Sequence, residues 1–329
     1  MEILFLGTSS GTPTRQRNMT AAALRARGAR DWALVDCAEG TQHRLLRAPL
    51  SLMHLRAVFI THLHGDHVYG LPGVLASAGM LNRSEPLWLV GPAPLRTMME
   101  CIMESTQLRL PYPLVFLEPQ DLPDAAVLPD FEVDATPLSH RLPSWAYGFT
   151  EARVERRLDL ERLRRDDIPP APAWSQIQRG QDVVLPDGRT VIAEHYLHET
   201  RRRRRIVIGG DNDTPELLAQ AAHGVDVLVH EATYTEEILQ KIGPGPQHSS
   251  ALRIARFAAA AGVRNLVLTH FSPRYQERGG ALPLSDIERE ARSVYEGPLY
   301  LAKDLDHYVL DRSGELRHIE DNPGRGGLA

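Results

Sequence analysis

The chain has 329 residues, 43% of them apolar and 6% aromatic, and a formal net charge of −5. That is ample for a core in one large domain or two modest ones, while the charge balance and scarce aromatics argue against a general nucleic-acid binder or an aromatic-rich base-stacking surface. The two cysteines, Cys37 and Cys101, follow no spacing pattern, which argues against a disulfide framework and a Cys-based zinc site and fits a reducing, cytoplasmic compartment.

In chain order, Ile3-Leu4-Phe5-Leu6 reads as a first strand rather than a signal peptide, and Gly7 ends it. The loop over 7–14 lacks the Gly-Lys-Ser/Thr ending of a P-loop, so a nucleotide cradle is not expected. Residues 21–24 and 32–35 predict a hairpin pair, and 51–55 lead into an apolar run, Ala57-Val58-Phe59-Ile60. A helix is predicted over 72–82, a strand over 87–90, and a Met-rich helix over 94–106 whose Met98, Met99 and Met103 fill core gaps. Residues 131–135 alternate as a half-buried strand does, and lead to Ser139-His140. Mixed charge then fills 151–167, followed by Ile168-Pro169-Pro170-Ala171-Pro172. This stretch, 151–195, interrupts the αβ rhythm and reads as a protruding insertion. Five arginines, Arg201 to Arg205, precede the apolar Ile206-Val207-Ile208. Like charges in a row repel unless something anionic is near, so phosphate contact is the preferred reading of that run. Beyond it come a strand over 225–229, an Ala-rich helix over 250–261, a strand over 266–268, a helix over 286–295, and a Gly-rich tail from Asn322 expected to fray. Elements alternating on both sides of an insert imply a layered α/β domain, and no stretch approaches the roughly 18 apolar residues of a membrane span.

The chemistry concentrates in Thr61-His62-Leu63-His64-Gly65-Asp66-His67. Imidazole and carboxylate suit a borderline cation such as Zn²⁺. Alternation on an extended segment puts His62 and His64 on one side, and Gly65 is expected to allow a sharp turn that swings Asp66 and His67 to an adjacent position. Other ligand-type residues also follow apolar strands: His140, Asp211 after Ile206-Val207-Ile208-Gly209-Gly210, and His270 after Leu266-Val267-Leu268-Thr269. Each alone is an ordinary polar strand end. Four such ends, one of them dense with ligands, point to a shared site.

The pattern His-x-His-x-Asp-His after a strand resembles the metallo-β-lactamase superfamily, and THLHGDHVYGLPG over 61–73 resembles ribonuclease Z, the tRNA 3′-processing endonuclease. The likeness extends to LGTSSGTPT with Arg17-Asn18, DCAEGTQ at 36–42, His230-Glu231-Ala232-Thr233, His248-Ser249-Ser250, LTHFSPRY at 268–275 and Asp304. It implies an αβ/βα four-layer sandwich over 1–329, with 151–195 as a flexible arm that grips the body of a tRNA. It further implies two Zn²⁺ per subunit, the first held by His62, His64 and His140, the second by Asp66, His67 and His270, with Asp211 bridging them. Asp66 is implied to orient or deprotonate the attacking water, and His248, paired with Glu231, to protonate the leaving oxygen. His230 reads as structural. Precursor tRNA as substrate and a homodimeric assembly follow from the same resemblance. Two departures, Gly209-Gly210-Asp211-Asn212-Asp213 in place of Ser-Gly-Asp-Thr and Ala38 in place of Gly, leave open a phosphodiesterase or exonuclease with other substrates. An RNA-binding protein with a degenerate site is the remaining rival, and the filled ligand positions argue against it.

Overall fold

The computed structural model describes residues 1–277 and 281–319, and the Gly-rich tail from Asn322 lies outside them. The architecture follows from period-two alternation along its strands. In Glu2–Gly7, Ile3 and Phe5 enter one apolar cluster while Leu4 and Leu6 enter another. In Leu55–Phe59, Ala57 and Phe59 join the first cluster and Val58 the second. In Arg205–Gly209, Ile206 and Ile208 join that same first cluster, while Val207 points into a third. Strands apolar on both faces need cover on both faces. The shared cluster therefore lies between two sheets, and helices cover the outside of each.

The first sheet has eight strands, in the order Leu316–Ile319, His307–Leu310, Glu2–Gly7, Ala21–Arg25, Trp32–Val35, Leu55–Phe59, Leu87–Val90, Leu114–Leu117. From Trp32–Val35 onward the pairing is parallel. Helices Leu71–Met80 and Pro94–Thr106 cover its outer face through Val74, Leu75, Ala78, Leu95 and Met99. The second sheet has six strands, in the order Leu299–Leu301, Leu266–Thr269, Val227–Glu231, Arg205–Gly209, Ser144–Glu151, Phe131–Leu138. Its first four are mutually parallel. Helices Ala251–Ala260 and Ser285–Arg292 cover its outer face through Ile254, Ala255, Ala258, Ile287 and Ala291. This is the αβ/βα four-layer sandwich. Among the described residues, no helix is long and apolar enough to cross a membrane.

Residues Glu151–Arg203 form a compact unit of their own. Leu163, Ile168, Ala173, Ile177, Val183, Leu185, Val191 and Ala193 make its core. Arg156–Leu158 pairs antiparallel with Leu197–Glu199, and Asp159 caps the helix Leu160–Arg165 by accepting from the Arg162 amide at 2.9 Å. In the sheet that precedes and follows this unit, Thr150 lies directly opposite Arg205.

Four of the five arginines of the run expected to contact phosphate, Arg201, Arg203, Arg204 and Arg205, have partners within the protein. Arg201 makes a two-pronged pair with Glu151 at 2.5 and 3.0 Å, and Arg203 meets Glu199 at 2.8 Å. Arg204 is buried and donates to the Leu310 carbonyl at 2.5 Å. Arg205 forks onto Asp134 at 2.5 and 2.8 Å. Carboxylates and a carbonyl inside the protein relieve the repulsion that a bound phosphate was expected to relieve.

Candidate metal centre

The strand Leu55–Phe59 is held between parallel neighbours, so the chain beyond it emerges at the carboxyl end of the sheet, where α/β folds place ligands. Thr61 is pinned there by Asp36, which accepts from its amide at 2.8 Å and its hydroxyl at 2.9 Å. His64 then caps a single helical turn, Gly65–Val68, which carries Asp66 and His67. The chain turns there from the extended His64 into the helix as expected, and it does so without a left-handed residue at Gly65. A Cβ there would lie 2.2 Å from Cε2 of the Tyr69 ring, which would have to swing aside to admit it.

All seven expected ligands converge. His62 Nε2 and His140 Nε2 each lie 3.0 Å from His64 Nδ1, and 3.6 and 3.7 Å from Oδ2 of Asp211. His67 Nε2 lies 3.2 Å from His270 Nε2. These two nitrogens are 3.4 and 3.3 Å from the other oxygen of Asp211, and 3.7 and 3.4 Å from Oδ2 of Asp66. Asp211 thus presents one oxygen to each of two donor clusters, His62–His64–His140 and Asp66–His67–His270.

The far side of each ring sets which nitrogen faces inward. His67 Nδ1 donates to Asp36 at 2.7 Å. His140 Nδ1 donates to the Gln247 carbonyl at 2.9 Å. His270 Nδ1 lies 3.0 Å from the Thr233 hydroxyl, which itself donates to Glu231 at 2.6 Å. His62 Nδ1 lies 3.1 Å from the Thr61 hydroxyl, which donates to Asp36. These contacts leave the Nε2 lone pairs of His62, His67, His140 and His270 pointing into the clusters, while His64 offers Nδ1. Asp66 is fixed in turn by the Gly11 amide, 2.6 Å from its Oδ2. Asp36, Thr61 and Thr233 carry no metal-binding pattern of their own, although the position of Asp36 at the end of a strand next to the motif strand was a usable signal.

The remaining expected residues are also here. His248 Nδ1 lies 3.2 Å from Oε1 of Glu231. That buried carboxylate also accepts from the amides of Ser249 at 2.8 Å and Thr233 at 3.0 Å. Burial alone would lower the His248 pKa, but Glu231 and Asp211 outweigh it and raise it to about 9. His230 is buried: its Nδ1 donates to the Glu231 carbonyl at 2.8 Å, and its Nε2 accepts from the Asn212 side chain at 3.2 Å. Asn212 also accepts from Ser139, beside His140, and its carbonyl accepts from Ser249, beside His248. The residue that departs from the family pattern therefore ties together the loops of Asp211, His140 and His248.

The donor set fits metal ions. Asp36, Asp66, Asp211 and Glu231 are four carboxylates in and behind the two clusters, and among the described residues their ion-pair partners are all histidines. Burial pushes the carboxyl of Asp66 up, yet His270 and His67 hold it far below the usual range. Burial likewise opposes ionisation of Asp211, and His270, His67 and His62 overcome it. Burial would lower His67, but Asp211 and Asp36 keep it well above its ordinary value. So much buried negative charge, whose ion-pair partners among the described residues are imidazoles, suits multivalent cations; imidazole and carboxylate without thiolate suit zinc-like ones.

Comparison with known proteins agrees with this geometry. A family model described as anti-Pycsar protein Apyc1 matches residues 1–100. The chain is 49% identical to a ribonuclease Z of Marinobacter nauticus over 324 residues, 98% of this chain and 100% of that one. It is 40% identical to a ribonuclease Z of Brevibacillus brevis over 318 residues, 95% of this chain and 98% of that one. Among solved structures, human tRNase Z, short form, aligns with a TM-score of 0.64 at 25% identity, covering 94% of this chain and 100% of that one. The metallo-β-lactamase fold protein YhfI of Bacillus subtilis aligns at 0.62 with 16% identity, covering 93% and 98%, a likeness of fold alone.

Proposed function

The chain belongs to the ribonuclease Z family, and from that membership we propose that it is a metal-dependent endoribonuclease that removes the 3′ trailer from precursor tRNA. It hydrolyses one phosphodiester and leaves a 3′-hydroxyl on the tRNA. The observation that carries the reading is the pair of clusters sharing Asp211, one oxygen to each.

His62, His64 and His140 would hold one Zn²⁺ and Asp66, His67 and His270 a second, with Asp211 offering one oxygen to each cluster. Held there, the two ions supply Lewis-acid charge for a phosphate and lower the pKa of water to about 7. The protein's own groups do the rest. Asp66, itself held by the Gly11 amide, orients or deprotonates the attacking water. His248 gives Nδ1 to Glu231 and keeps Nε2 for the departing sugar oxygen, which needs a proton as the bond breaks. With its pKa raised, His248 is charged at neutral pH and can supply that proton.

The unit Glu151–Arg203, folded around its own core, is the arm that grips the body of the tRNA. The protein acts as a homodimer in the cytoplasm.

The test is cleavage of a 3′-extended precursor tRNA by zinc-loaded protein, beside a His64→Ala control and a small chromogenic phosphodiester. A single cut at the acceptor end, absent in the control, is expected. Turnover of the small diester without precursor cleavage would move the function to a phosphodiesterase or exonuclease with other substrates, a reading favoured by the match of residues 1–100 to a differently named family.

A further inference from the structure

Composition offers few aromatic residues, and the structure buries or half-buries every one of them except Tyr69, which is 69% exposed. A ring left in water forgoes the burial that aromatic side chains otherwise gain. Tyr69 lies directly beyond the metal-binding turn Gly65–Val68, and its amide closes that turn onto the Gly65 carbonyl at 3.0 Å.

Its ring has a built seat. A Cβ at Gly65 would meet Cε2, Cδ2 and Cζ of Tyr69 at 2.2, 2.6 and 2.7 Å, so the ring occupies the space that a side chain at 65 would fill. Gly65 stands between the ligands His64 and Asp66, about 3.8 Å in Cα spacing from each. The ring therefore rests against the backbone of the loop that carries His64 and Asp66 and leaves most of its surface to solvent.

We propose that Tyr69 is a stacking platform for the nucleobase next to the scissile phosphodiester. The proposal rests on the tRNA-processing reading above and adds a substrate contact to it. Stacking on an aromatic face tolerates any base, which suits an enzyme whose substrates share a shape and differ in sequence at the cleavage point. It also fixes the nucleotide sugar relative to the metals, so its effect falls on alignment as well as on binding.

The experiment measures single-turnover cleavage of precursor tRNA by the full-length, zinc-loaded protein and its Tyr69→Leu and Tyr69→Phe variants. Each is assayed on a normal substrate and on substrates carrying one abasic nucleotide on either side of the cut. Tyr69→Leu is expected to lose about ten-fold or more in kcat/KM, within the range that stacking of one base supplies, and Tyr69→Phe to recover most of that loss. With an abasic nucleotide on the stacked side, the unaltered protein should fall to the level of Tyr69→Leu and the variant should fall no further, the signature of a shared interaction. Fully additive losses at both abasic positions would overturn the proposal, as would a Tyr69→Leu protein with full activity or an altered oligomeric state. If the unaltered protein cleaves no precursor but turns over a small phosphodiester, the tRNA reading fails and the proposal fails with it.

Discussion

Replacing Asp36 with Asn tests whether the second donor cluster depends on a residue that touches no metal. Asp36 accepts three hydrogen bonds, from the Thr61 amide, the Thr61 hydroxyl and Nδ1 of His67. Asn has the same shape but only one acceptor. If its oxygen faces the Thr61 amide, its NH₂ faces the His67 N–H; if it flips, the NH₂ faces the amide instead. A backbone amide cannot give up its proton, whereas an imidazole can move its own. The cheaper outcome is therefore a His67 with its proton on Nε2, the nitrogen that faces His270 and Asp211. That ring can no longer ligate without first exchanging tautomers, at the loss of a hydrogen bond to a charged group, about 1.5–3 kcal/mol. This corresponds to about 10–150-fold weaker binding at the Asp66–His67–His270 position, in line with the usual effect of losing a group behind a metal-bound histidine. Competition against a chromophoric zinc chelator should show one site weakened and one nearly unchanged. Two sites of unaltered affinity in a folded Asp36→Asn protein would refute the reasoning, and equal weakening of both would show that Asp36 supports the whole loop rather than one ring.

Glu231→Gln should pull the His248 pKa down from about 9, because the Glu231 charge is what chiefly opposes burial there. The donor proton is present below that pKa and lost as pH rises through it, so the alkaline limb of the kcat profile should move to lower pH; an unmoved limb would remove His248 as the acid. The same raised pKa makes the His248 proton a stabilising contribution that is complete below the ordinary histidine value and lost as pH rises through about 9, so a Tm that fails to soften over that window would argue against the pairing. Chelation should lower Tm, since the buried carboxylates lose their counter-charge; a metal present at 100-fold over its Kd contributes about 2.7 kcal/mol, and a melting curve indifferent to chelator would count against a metal site. Replacing residues 151–203 by a short turn should leave a folded protein that still hydrolyses a small phosphodiester but binds precursor tRNA far more weakly, as filter binding would show.

What the sequence reveals here is what is local. The motif from His62 to His67 places four ligand-type side chains within six residues, and apolar runs ahead of His140, Asp211 and His270 put the other candidates at strand ends. The Met-rich helix over 94–106 was readable with its bounds. What depends on distant pairing was not. The insertion extends to Arg203 rather than 195 because its last strand, Leu197–Glu199, pairs back onto Arg156–Leu158. The strand Ser144–Glu151 escapes a pattern search because Gly148 interrupts its apolar run; a Cβ there would lie 2.2 Å from the Arg205 guanidinium. The internal partners of the arginine run could not be read because Glu151, Asp134 and Leu310 lie far away in sequence. Composition counted the aromatic rings but could not say that the one left in the open would sit beside the metal loop.

The insertion leaves its sheet after Thr150 and the chain rejoins it at Arg205, and those two residues face each other across a single antiparallel ladder. Topologically the whole unit is an overgrown hairpin loop. Closing such a loop costs only slowly more as it lengthens, so a cassette of this size can be spliced in, trimmed or exchanged without shifting any strand out of register. If the unit grips the body of a large RNA as proposed, affinity for that RNA and the ability to break a phosphodiester would be carried by separable modules, and one could change its client while the other kept its chemistry.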